Sequence, residues 1–211
     1  LRRGLDARRK GQVRRVYAVE CTLRSTGLEE SVCSRVTSAR QISSGPDPFQ
    51  IKKFRRPPLR PVVAGAGPAG LFAALTLARF GIPPLLLERG LPVEERSRHV
   101  AAFWKSGALD PDSNVQFGEG GAGTFSDGKL STRIGDPLVT HVIGTFGEFA
   151  EIQDLGTEAK PHVGTDRLRN FCRRMREELV FLGAEIRFGA RVAGLAEEEG
   201  RLSAVRLASG E

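Results

Sequence analysis

The sequence predicts an α/β fold in two parts: a small basic α/β domain with a linker over residues 1–58, and a dinucleotide-binding type of domain over residues 59–211, built from a parallel sheet and a late β-hairpin. Three observations predict it. A glycine turn stands between an apolar strand and an apolar helix, a second apolar strand ends in an acid, and the net charge changes sign between the two parts.

The turn lies in Arg60-Pro61-Val62-Val63-Ala64-Gly65-Ala66-Gly67-Pro68-Ala69-Gly70-Leu71, a G-x-G-x-x-G pattern. Gly65 lets the chain leave the strand sharply, Gly67 lets the backbone approach a pyrophosphate, and Gly70 lets the helix pack closely on the strand. The start of that helix, entered through Pro68, offers the N–H groups from Ala69 onward and a positive dipole end to phosphates. With 25 glycines in the chain the pattern alone is weak, so its surroundings decide. An apolar helical pattern runs over 68–80 to Gly81 as a C-cap, and Pro84-Leu85-Leu86-Leu87-Glu88 reads as a second buried parallel strand. Glu88 follows Gly70 at close to the ~20-residue spacing of the carboxylate that binds ribose hydroxyls.

The remaining elements follow in order. Val13 to Val19 alternates as a strand with one wet face, and Ser34 to Pro61 mixes Ser, Pro, Lys and Arg without periodicity, a linker with a domain boundary near residue 58. Val93 to Lys105 is predicted helical. The glycine-rich stretch from Ser106 to Asp136 is too long for a simple connection, and its anchors Phe117 and Phe125 point to a functional loop. Thr165 to Gly183 is the clearest helix, with Thr165 as N-cap, Gly183 as C-cap and Leu168, Phe171, Cys172, Met175, Leu179 and Leu182 on a 3–4 spacing. Its arginines, Arg167, Arg169, Arg173, Arg174 and Arg176, read as a solvated face rather than an anion site. Ala184 to Phe188 continues as a strand, and residues 191–196 and 202–208 form an antiparallel hairpin around Glu197 to Arg201.

At 211 residues and 40% hydrophobic content the chain can bury one good core, and no stretch approaches the ~20 apolar residues of a membrane span, so no membrane anchor is expected. Residues 1–60 hold 15 Lys+Arg against 5 Asp+Glu, while the whole chain carries only +7, so the basic character belongs to the N-terminal part. A basic domain, a nucleic-acid arm and a targeting remnant compete for it. The strand-like alternation favours the first, and Tyr17 as the lone aromatic of the first 48 residues argues against a nucleic-acid partner. Cys21, Cys33 and Cys172 form no disulfide framework or metal spacing, and with His99, His141 and His162 they give no metal cluster.

The chain resembles the FAD-dependent dehydrogenases often labelled NAD(FAD)-utilising dehydrogenases, in the glutathione-reductase-like flavoprotein superfamily. The resemblance rests on Val62 to Leu71, on Leu87-Glu88-Arg89-Gly90 with Val93-Glu94-Glu95-Arg96, and on Asn114 to Leu130 with its glycine-rich core. It extends to Lys160 to Leu168 and to Leu5-Asp6-Ala7-Arg8-Arg9-Lys10. It implies a Rossmann-like FAD-binding ββα-type domain and an FAD-dependent oxidoreductase of unknown substrate, with NAD(P)H as a candidate electron donor. Glu88 would bind the adenosine ribose, with Arg89 beside it, and the backbone near Val192 would meet the adenine. Gly120, Gly121, Gly123, Thr124 and Ser126 would lie near the pyrophosphate and flavin, Lys129 would face a reduced flavin, and Arg96 would reach phosphates or ribose. His162 is a candidate proton donor, and no catalytic base is assigned.

The resemblance also implies a fragment, since the family's later cofactor contacts have no counterpart before Glu211 and the chain starts at Leu1. Two other readings stay open: an NAD(P)-dependent dehydrogenase with a single Rossmann domain, and an RNA-modifying or nucleic-acid-binding flavoprotein. Pro68-Ala69 and the late hairpin favour FAD by resemblance, and the lack of a cysteine pair excludes a disulfide reductase. A cytoplasmic or an organellar location is compatible with this cysteine usage.

Overall fold

The structure is a computed structural model that describes residues 2–9, 11–25, 27–42, 56–132, 134–158 and 160–211. Much of the expected linker, 43–55, lies outside the described residues. A three-stranded parallel sheet, β3 (Val62–Ala64), β4 (Leu85–Leu87) and β5 (Glu185–Arg187), runs in the order β3-β4-β5 with Val63 beside Leu86 and Leu86 beside Ile186. Two antiparallel hairpins flank it in the chain: β1 (Arg2–Arg9) with β2 (Gln12–Ala18), and β6 (Val192–Glu198) with β7 (Arg201–Leu207).

The helices are α1 (Glu29–Arg35), α2 (Pro68–Arg79), α3 (Val93–Ser106), α4 (Leu138–Ala150) and α5 (Thr165–Phe181), with 3-10 turns at Gly121–Phe125 and Leu155–Thr157. α2 buries Leu71, Ala74, Leu75 and Ala78, and α5 buries Leu168, Phe171, Cys172, Met175 and Leu179; Leu86 of the sheet and Phe149 of α4 join them in one core. Phe146 of α4 stacks on Phe171 with ring centroids 4.4 Å apart. Each fully buried Leu or Met contributes roughly 1.5–3 kcal/mol, so this cluster sets how firmly the sheet's upper end is held.

Both glycine helix ends expected from the sequence have the same chemistry. After α2, the Gly81 N–H donates to Ala78 O and the Ile82 N–H to Leu77 O; after α5, Gly183 donates to Val180 O and Ala184 to Leu179 O. These paired bonds satisfy the last carbonyls of each helix, with the glycine in left-handed conformation at φ 74 and 87. The N-terminus of α5 differs from expectation. Gly164, not Thr165, holds the cap position, and the Thr165 hydroxyl donates to Ser126 O at 2.7 Å instead.

Three elements went unread in the sequence. β1 pairs with β2 to complete a hairpin with Leu5 beside Arg15, α1 lies just before the expected linker and overlaps it only at Ser34 and Arg35, and α4 fills the gap between the glycine-rich stretch and α5. Gly144 and Gly147 inside α4 weaken its helical signal, and packing of Phe146 and Phe149 against α5 overrides them.

Candidate functional site

A cleft of about 550 Å³ opens at the C-terminal ends of β3 and β4. Ala64, Gly65 and Gly67 form one wall, Leu87, Glu88 and Arg89 the second, Gln116, Phe117, Gly118 and Gly121 the third, and Ala190, Arg191 and Val192 close it. Ligands of open α/β sheets bind in this place, because the loops leaving the strands are free to vary there.

The glycine turn supplies the first wall. Leu71 N–H donates to Gly67 O to start α2, and no side chain caps the helix. The Ala69 and Gly70 N–H groups of the first turn have no acceptor within the helix. Gly70 sits where helix and strand meet, and a Cβ there would drive into the Gly65 carbonyl. Gly67 is a different case. Its φ of −71 suits any residue, and a Cβ on it would meet no protein atom within 4 Å. Neither backbone angles nor packing within the protein demands glycine at that point.

Glu88, 4% exposed, ends β4 with its carboxylate turned into the protein. Oε2 accepts from Ala66 N–H at 2.6 Å, and Oε1 accepts from Gly90 N–H at 2.8 Å and Gly118 N–H at 3.1 Å. The acid thus joins the glycine turn, its own loop and the glycine-rich stretch. Next to it, the Arg89 guanidinium lies 3.9 Å from the Phe117 ring centroid and donates to Asp112 Oδ1 at 2.7 and 3.2 Å. Arg191 approaches the same carboxylate at 3.6 Å.

The third wall is built by side chains that turn backbone. Asp110 Oδ1 accepts the N–H groups of Asp112 and Ser113, and Asn114 Oδ1 accepts those of Gln116 and Phe117. The bonds from Asp112 and Ser113, with His99 at 3.0 Å, hold the Asp110 carboxyl below the usual carboxylate range against a small burial cost. Gly120 N–H donates to Ala66 O at 2.8 Å, which seats Gly121 beside Gly67 and Pro68.

No family model matches the chain. An uncharacterized protein of Clostridium beijerinckii is 39% identical to it over 215 residues, which cover 97% of this chain and 38% of that protein. The chain thus spans well under half of that relative's length. Among solved structures, the Diels-Alderase PyrE3 of the biosynthetic pathway of pyrroindomycins aligns over 71% of this chain and 29% of its own, at 17% identity and a TM-score of 0.33.

Of the residues expected at the site, Gly65, Gly67, Glu88, Arg89, Gly121 and Val192 line the cleft, with Pro68, Ala69 and Gly70 at the helix start beside it. Several others do not face it. Arg96 is fully buried under the third wall, donating to Asn114 O at 2.8 Å, Val115 O at 3.0 Å, Gly118 O at 3.3 Å and Glu119 O at 2.6 Å, over the Phe125 ring. It holds the loop that lines the cleft, and its complete burial keeps it out of the cleft itself. Thr124 is buried with its hydroxyl donated to Glu119 O, and Ser126 donates to Gly123 O in a local turn. Gly120 lies against Thr124 and Cys172 rather than the cleft, and Gly123 is not among the residues that line it. Lys129 is exposed and paired with Asp127 at 2.8 Å, beside His162, whose Nε2 meets Asp127 O at 2.6 Å.

Gln116, Gly118, Ala190 and Arg191 were missed in the sequence, and Phe117 was read only as an anchor of a functional loop. For residues 116–118 a signal existed in Asp110 and Asn114, whose spacing announces consecutive side-chain-capped turns that project them. Among the described residues no group of three or more His, Cys, Asp or Glu is placed to hold a metal ion, and no helix is long and apolar enough to cross a membrane.

Proposed function

We propose that the cleft binds the adenosine diphosphate half of FAD, and that the protein acts as an FAD-dependent oxidoreductase with NAD(P)H as the candidate electron donor. The observation that supports this best is Gly67: it lines the cleft, its backbone angles suit any residue, and no protein atom occupies the place of its Cβ. A pyrophosphate laid over this glycine and the uncapped start of α2 explains that vacancy. The Rossmann-like reading of the β3-α2-β4 unit and the FAD-dependent dehydrogenase resemblance give the same assignment.

In this arrangement Glu88 accepts from a ribose hydroxyl, the α2 amides hold the pyrophosphate, and Val192 borders the adenine. FAD would supply the redox chemistry, while the chain's own residues bind and orient it. Since the relative is far longer than this chain, the flavin ring and substrate are assigned to parts of a longer protein.

The test is the substitution Gly67→Ala, read in two ways. Wild-type protein is expected to bind FAD and ADP competitively in calorimetric titration, and Gly67→Ala to weaken both by roughly tenfold or more, the ~1.4 kcal/mol or greater cost of a methyl in the path of the pyrophosphate. Its thermal unfolding should stay at the wild-type value. Unchanged binding in Gly67→Ala overturns the assignment, and binding of NAD(P)H with no competition from FAD turns it to the single-Rossmann dehydrogenase.

A further inference from the structure

We infer that Arg89 and Phe117 together form the base-stacking floor of the cleft, so that Arg89 recognises an adenine ring through its planar face rather than a phosphate through its charge. The inference rests on the dinucleotide reading above and adds which residues select the base.

The charge of Arg89 already has its partner. Nε and Nη2 both reach Asp112 Oδ1, and Nη2 also donates to Pro111 O at 3.3 Å. An arginine tied along its edge in this way is fixed in plane and keeps its two faces. Phe117 covers one, with the guanidinium carbon 3.9 Å from the ring centroid. The other remains for the cleft that both residues line.

The floor is also preformed. Asn114 Oδ1 fixes the backbone of Gln116 and Phe117 at 2.8 and 3.2 Å, and buried Arg96 ties down the carbonyls of Asn114 and Val115. Glu88, one residue before Arg89, is anchored by three backbone N–H groups. A rigid stacking surface next to a ribose-binding acid places a base where Ala190, Arg191 and Val192, leading into β6, close the cleft, and little ordering is left for binding to impose.

Aromatic stacking of a nucleobase is commonly worth ~1–3 kcal/mol, or roughly 5- to 150-fold in affinity. The decisive variant is Arg89→Lys, which retains the charge and loses the plane, paired with Phe117→Leu, which keeps an apolar side chain and loses the ring. ADP and inorganic pyrophosphate are titrated into each protein by calorimetry, and the adenine H2 and H8 resonances are followed by NMR. The expected result is an ADP affinity lowered roughly 5-fold or more in both variants, unchanged pyrophosphate affinity, and binding shifts of H2 and H8 that change in Arg89→Lys, because the base lies on the Arg89 face turned away from Phe117. ADP binding by Arg89→Lys at the wild-type level overturns the inference while leaving the dinucleotide site intact. Equal losses for ADP and pyrophosphate also overturn it, in favour of a charge role. Wild-type protein that binds neither ligand removes the dinucleotide site and this inference together.

Discussion

The Ala66 N–H donates to the Glu88 carboxylate at 2.6 Å, so the acid that ends β4 is also the strut of the glycine turn that ends β3. The same carboxylate takes the N–H groups of Gly90 and Gly118. Three segments that surround the cleft converge on one buried anion, and the shape of the site depends on Glu88 before any ligand arrives.

This double role separates two expectations for Glu88→Gln. A residue that only meets ribose would leave the stability of the free protein unchanged. In this structure the new amide group must turn its NH2 toward at least one buried N–H, and a buried donor left without an acceptor costs about 1–3 kcal/mol. Urea unfolding of the ligand-free variant should show a loss of about 2 kcal/mol, with an m-value like that of wild type.

Arg96 tests the third wall. Its guanidinium holds four carbonyls from Asn114 to Glu119. A lysine delivers three donors from one point and cannot span them. Arg96→Lys should therefore destabilise the protein by about 3 kcal/mol, and hydrogen exchange should quicken at the amides of Gly118, Glu119 and Gly120. Exchange that speeds up uniformly over the chain, without emphasis on this stretch, would count against a local clamp.

The contrast between Arg96 and Glu88 shows what the sequence could disclose. A glycine turn, an apolar strand and an acid form a local pattern whose spacing is set by the β-α-β unit itself, so β3, α2, β4 and the place of Glu88 were legible. The direction of a long side chain is not local. Arg96 stands beside a glycine-rich loop whether it points at a ligand or at loop carbonyls, and only the path of residues 114–119 decides between them. The hydroxyls of Thr124 and Ser126 were likewise read as ligand donors, but nearby carbonyls claim them first. The Arg89–Phe117 contact depends on the turns at Asp110 and Asn114, so it becomes visible only once that loop is folded. The hairpin strand β1 was hidden by its arginines, because charge masked the alternation that pairing with β2 reveals.

Gly70 and Gly67 lie three residues apart in one motif and should behave oppositely. A Cβ at Gly70 collides with the Gly65 carbonyl and lies 3.4 Å from Val63 Cγ1, so Gly70→Ala must push α2 off β3. Overpacking of this kind costs ~1–3 kcal/mol, and a circular-dichroism melt should show a clearly lowered midpoint. Gly67→Ala should melt like wild type, because its methyl enters open space. Matching melts for the two variants would contradict the geometry of the turn.

Cys172 gives the last expectation, in alkaline solution. The thiol is 2% exposed on the core face of α5, with the Thr124 hydroxyl 3.7 Å away, and burial pushes its pKa up to about 12 from an ordinary value of 9.0. The unfolded chain releases this proton near the ordinary value while the folded chain keeps it, so between pH 9.0 and about 12 the folded state binds more protons than the unfolded state. The contribution is complete below pH 9.0 and is lost as pH rises toward 12. Urea unfolding followed through that interval should lose stability in wild type with a component of one proton that is missing from Cys172→Ala; the lysines, Tyr17 and the other two cysteines are present in both proteins and cancel in the comparison. Thiol-labelling provides a second reading of the same burial. Cys21 is exposed and should react at once, whereas Cys172 should react only as the protein unfolds. Identical pH slopes in the two proteins, or rapid labelling of Cys172 in the folded state, would show that the thiol is not enclosed between α5 and the glycine-rich stretch.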